Sequence, residues 1–75
     1  MILDVVVSRE LDGYNALVKS VKGCENWAPT EEEALDGLIP VIRFYLNLTD
    51  TDSLKYDRAR GDNAKRIYKL VIEKE

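Results

Sequence analysis

Apolar residues repeat with a helical period in one stretch of this chain, from Ala34 through Leu35, Leu38, Ile39, Ile42 and Tyr45 to Leu46. The other apolar clusters are β-branched or alternate residue by residue, so the chain can bury its apolar surface only by laying strands against a single helix. The start of that helix is written into Thr30-Glu31-Glu32-Glu33. Thr30 followed three residues later by Glu33 is a capping box: the hydroxyl accepts an orphan N–H of the first turn, and the Glu33 carboxylate reaches back to the N–H of Thr30. Three acids in the first turn also suit the positive end of the helix dipole. Pro40 falls inside the helix, where it cannot donate to the carbonyl of Asp36. A bend is predicted there, with a complete break as the alternative.

Around the helix the signals are those of strands. Residues 2–8 are rich in valine and isoleucine, Asp12-Gly13 marks a hairpin turn, and Tyr14, Ala16 and Val18 form the inward set of a second strand. Lys22-Gly23 makes the next turn, and a short third strand runs from Cys24 to about Ala28. Residues 49–63 are polar and turn-rich and read as a long loop. Residues 64–73 read as a last strand, with Tyr68, Leu70 and Ile72 on one face and Ile67, Lys69 and Val71 on the other. Apolar groups on both of its faces call for cover on both sides or for a second subunit. The predicted fold is α+β: a single small β-β-β-α-β domain over residues 1–75, with an antiparallel sheet packed on one helix and no DNA-binding module.

A chain of 75 residues buries only roughly 60% of the surface it exposes when unfolded, so its core is thin. No disulfide pair or metal set can staple it, and self-association as a dimer or tetramer is expected. Cys24 is the single cysteine and there is no histidine. A thiol nucleophile needs a base or cation beside it and a structural zinc site needs about four ligands, so Cys24 is read as an inert, partly buried side chain. With one cysteine, no leader signal and no long apolar run, the expected compartment is the cytoplasm and no membrane span is expected.

Other chemistry finds little footing. Consecutive Glu31, Glu32 and Glu33 splay around the helix instead of converging. Asp50-Thr51-Asp52 fails as a calcium loop, because Leu54 and Lys55 stand where a ligand and a glycine are needed. Asp4 could be one acid of a ribonuclease H-like site, but no second acid is fixed beside it. No phosphate-binding glycine loop or nucleophile elbow occurs, so no cofactor is implied and the chain is read as a binding protein, not an enzyme. Lys55, Arg58, Arg60, Lys65 and Arg66, with Tyr56 and Tyr68, could form a small RNA-facing patch, although Asp57 and Asp62 dilute it.

Charge is uneven. Residues 1–36 carry eight acids against three bases, whereas residues 37–75 carry eight bases against six acids. An acidic front suits a basic protein partner better than a polyanion, unless these are simply solvated charges. Candidate partner contacts are Tyr14, Trp27, Glu31 and Glu32; Trp27 could equally plug the core under the helix. Gly23, Cys24, Thr30, Glu33 and Pro40 are assigned structural roles.

The string Gly13-Tyr14-x-Ala16, then Gly23-Cys24, Thr30, Glu32-Glu33-Ala34-Leu35, Leu38, Ile42 and Tyr45-Leu46 resembles the N-terminal domain of the HicB-like antitoxins over about residues 1–48. The resemblance implies a truncated ribonuclease H-like fold and a protein that neutralises a small, basic, HicA-like mRNA-cleaving toxin by occluding it. Three places depart from the family pattern: Ser20-Val21-Lys22 before the Gly-Cys pair, Ala28-Pro29 before the threonine, and Pro40 in the helix. Many members add a C-terminal DNA-binding module, and none is expected here, so direct DNA binding is not expected either. The alternative is an orphan domain that self-assembles or binds a small ligand without a toxin.

Overall fold

A computed structural model describes residues 1–61 and 64–74; Asp62, counted above against the basic segment, and Glu75 lie outside them. The elements are β1 (Ile2–Glu10), β2 (Gly13–Val18), β3 (Glu25–Ala28), α1 (Glu31–Tyr45), β4 (Ser53–Gly61) and β5 (Lys65–Glu73). All five strands form one antiparallel sheet in the order β3-β2-β1-β5-β4, with α1 on one face. The α+β class and the sheet packed on one helix are as the sequence predicts.

One element is new. The predicted loop over residues 49–63 holds β4, an edge strand paired with β5. Its first half does alternate, with Leu54 and Tyr56 packed against the core. The register then shifts between Tyr56 and Ala59, which erases the period-two signal. The exposed remainder carries Asp57, Arg58 and Arg60, charges of the kind that protect an open edge from pairing with another chain.

β1 is the middle strand, bonded to β2 on one side and β5 on the other. Val5 and Val7 point toward the helix and join Ala16, Val18, Leu70 and Ile72 beneath Ala34, Leu35, Leu38 and Ile42. The predicted inward sets of β2 and β5 therefore face the core. Cys24 lies in the same cluster, 1% exposed, and burial pushes its thiol pKa up, which disfavours the thiolate.

At the helix start, Thr30 Oγ1 accepts the Glu33 N–H at 3.1 Å. The same hydroxyl donates to Glu33 Oε1 at 3.0 Å, so the carboxylate answers the hydroxyl and not the Thr30 N–H that the capping box assigns it. The helix runs unbroken across Pro40. Asp36 and Pro40 are both exposed, so the bond lost at the proline opens toward water. α1 ends after fifteen residues, with Leu46, the last of the apolar series, as its cap, because Asn47 takes a left-handed φ of 54°. The Asn47 and Leu48 N–H groups bond back to Phe44 and Arg43, the pattern of a Schellman cap. Arg43 then ties down the following turn through the carbonyls of Thr49 and Asp52. The Asp52 carboxylate accepts the Thr49 N–H at 2.9 Å, so the acid weighed above for calcium acts as a local cap.

Two side chains of the sheet donate hydrogen bonds to carbonyls of the helix. From β3, Asn26 Nδ2 donates to the Ala34 carbonyl at 3.1 Å, and a Cβ placed on Gly37 would lie 2.4 Å from that nitrogen. Gly37 thus gives up helix propensity to let the two elements approach. From β4, the Tyr56 hydroxyl donates to the Leu35 carbonyl at 2.8 Å. Burial pushes the Tyr56 pKa far above its usual value, with smaller contributions from the charges of Asp36 and Cys24.

Gly37→Ala should therefore cost about 1 kcal/mol in the native chain and add up to about 1 kcal/mol in an Asn26→Ala background, measured by chemical denaturation. Equal effects in both backgrounds would remove this contact from the account. For Tyr56 the folded pKa exceeds the unfolded one, so its stabilising contribution is whole below about pH 10 and drains as pH rises further. Tyr56→Phe should cost about 1 kcal/mol at neutral pH and flatten the alkaline fall in denaturation midpoint. An alkaline limb of unchanged steepness would contradict the assignment.

Candidate protein-interaction site

Three segments converge at one end of the molecule: the β1–β2 turn, the link from β3 into α1, and the start of β5. Gly13 brings the first two together. A Cβ there would lie 2.4 Å from the Ala28 carbonyl oxygen, 2.7 Å from Trp27 Cζ2 and 3.0 Å from Pro29 Cα. Only a glycine lets the turn lie against the strand that leads into the helix. As a result Glu10, Leu11 and Asp12 stand beside Pro29, two residues before the acidic first turn of α1.

Behind this turn is a recess of about 130 Å³ lined by Val7, Arg9, Tyr14, Glu31, Ala64, Lys65 and Arg66. Antiparallel pairing sets Arg9 opposite Tyr14 and Val7 opposite Arg66, and the Arg9 N–H to Ala64 carbonyl bond of 2.9 Å closes the mouth of the β1–β5 ladder. Arg66 Nη1 meets Glu31 Oε1 at 3.2 Å. Burial and the Glu31 carboxylate raise the pKa of Tyr68 beside this pair, and Arg66 opposes them. A part-exposed pair of this kind is worth about 0–1 kcal/mol, so its main effect is to orient groups. Glu10, Asp12, Glu31, Glu32 and Glu33 outnumber Arg9, Lys65 and Arg66 at this end. The arrangement presents hydrogen-bonding groups and an excess of carboxylates.

The predicted contact residues divide between two faces. Tyr14 and Glu31 line the recess, and Glu32, the next residue of α1, is exposed. Trp27 stands apart. It pairs across the ladder with Asn15, on the sheet face away from the helix, and its ring lies over Gly13 with the residue 48% exposed. The alternative that Trp27 plugs the core under the helix is thereby corrected: one position of strand parity carries it to the other side. Among the structural residues, Gly23 takes φ +84° in the turn before Cys24 and lies under the Tyr45 hydroxyl, while Thr30, Glu33 and Pro40 serve the helix as described.

The basic segment is also divided. Lys55, Arg60 and Lys65 share the outer face by register, whereas Tyr56, Arg66 and Tyr68 share the helix-facing side. The two tyrosines contact each other edge to face, with ring centroids 5.9 Å apart. Asp4 pairs with Lys69, whose hydrogen bond holds the carboxyl below its ordinary range against a smaller opposing effect of burial. Among the described residues no three acids or cysteines cluster as a metal site would require, and no helix is long and apolar enough to cross a membrane. Sequence reasoning passed over Leu11, which is fully exposed at the hairpin tip. Its signal was there: an apolar residue between Glu10 and Asp12 in a turn has no core to enter.

No family profile and no solved structure matches the chain. A UPF0150 protein of Helicobacter pylori strain J99 is 32% identical over 56 residues, covering 75% of this chain and 78% of that protein. Similarity of that degree over most of both sequences extends to the fold as a whole. The chain belongs to the UPF0150 family.

Proposed function

We propose that this chain is a HicB-like antitoxin that binds a small, basic, mRNA-cleaving toxin in the cytoplasm and neutralises it by covering its surface. The observation that carries the reading is the acidic end built by the β1–β2 turn and the first turn of α1, with the fully exposed Leu11 at its centre. Carboxylates around an apolar anchor suit a basic partner: the charges speed encounter and the desolvated side chain slows release. Membership of the UPF0150 family and the resemblance to HicB-like domains support the same reading.

The residues that carry the resemblance are mostly scaffold. Ala16, Cys24, Ala34, Leu35, Leu38 and Ile42 are buried in the core, Gly13 and Gly23 permit the close turns, and Thr30 caps the helix. Partner choice then falls to surface positions such as Leu11, Asp12, Glu31 and Glu32. Inhibition needs no bond-making step, since occlusion alone keeps RNA from the toxin.

A purified HicA-like toxin from the same organism should lose RNA cleavage in proportion to added protein and stop at a fixed ratio. Asp12→Lys with Glu32→Lys should lower the association rate about tenfold at low salt and flatten its salt dependence, while Leu11→Ala should chiefly speed dissociation. Cleavage that continues unchanged in excess protein would refute the proposal.

A further inference from the structure

We propose that the outer face of the sheet is a homodimer interface, with two copies packed face to face about a two-fold axis running along β1. Strand register orders this face into rows across the sheet. The central row reads Glu25, Leu17, Val6, Ile67, Arg60 from the β3 edge to the β4 edge. Three adjacent aliphatic side chains lie on a face that no helix covers, whereas the solvated face of an antiparallel sheet is ordinarily polar. Val6 is 9% exposed, enclosed by its neighbours, and Leu17 and Ile67 beside it are half-buried, so the strip is apolar and partly open. Aligned packing of two such faces, strands within about 30° of each other, would bury it.

The charges select the occupant and the symmetry. The central row begins with an acid and ends with a base, so it complements itself when reversed. A two-fold axis along β1 reverses it: Glu25 of each copy meets Arg60 of the other, and the aliphatic centres meet each other. The next row, Trp27, Asn15, Ser8, Lys65, is reversed in the same way. It brings Lys65 of one copy over Asn15 of the other, one strand from the indole. An axis across the strands would instead set β3 on β3 and β4 on β4, with Glu25 facing Glu25 and Arg60 facing Arg60. The row of Lys19, Asp4 and Lys69 adds no complementarity, and its Asp4–Lys69 pair is already made within the chain. The acidic end lies outside this face, so the proposal stands or falls independently of the antitoxin reading.

The test is sedimentation of the full chain over a concentration series. The native protein should sediment as a dimer. Glu25→Arg and Arg60→Glu should each weaken dimerisation at least about tenfold, because each puts two like-charged pairs in the interface. Mixing the two variants should restore dimers to near the native level. In the mixed pair the two substituted positions face each other with opposite charges at one edge, and the native Glu25–Arg60 contact is kept at the other. Leu17→Lys should give a monomer with unchanged far-ultraviolet circular dichroism. A native monomer, or single variants as dimeric as the native chain, would overturn the proposal. Variants that stay monomeric when mixed would overturn the proposed symmetry, and with it the proposal as stated.

Discussion

Three consecutive valines in the middle strand demand cover on both sides of the sheet. Val5 and Val7 are enclosed by the helix and by the inward residues of β2 and β5, and Val6 points the other way and is nearly as buried. A chain this short has one helix to offer. The helix must therefore approach closely on its own side, which is why Gly37 makes room for Asn26 and why Tyr56 reaches across to Leu35. On the other side the cover among the described residues is a row of half-buried neighbours, and the proposed second copy of the same face would complete it.

Much of this was legible because it is local. The cap at Thr30, the switch from a period of two to a helical period, and the alternation in β2 and β5 need only a few neighbouring residues to be recognised. What escaped depends on tertiary context. β4 was hidden by a register shift in an edge strand that buries little. The left-handed turn at Asn47 was hidden because it follows directly on Leu46, the last residue of the apolar series. The side of the sheet on which Trp27 lies follows from pairing parity with β2, and the recess depends on Arg66 reaching Glu31 across thirty-five residues of sequence.

The same division organises function. Most of the residues that carry the resemblance to HicB-like domains build the scaffold, and those in the core are withdrawn from solvent. Residues free to meet a partner lie at the acidic end and on the outer sheet face, two surfaces with opposite chemistry. One carries carboxylates around an exposed leucine. The other carries a self-complementary row of aliphatic and charged side chains. The two proposals, covering a partner and self-assembly, therefore fall on separate surfaces, and assembly on one would leave the other open.

The most direct measurement is hydrogen–deuterium exchange of the native protein, alone and saturated with a purified HicA-like toxin. The account predicts new protection concentrated in residues 10–14 and 30–33, with the outer strands equally protected in both states. Protection that appears only in β1 and β5, or no change anywhere on adding toxin, would contradict it.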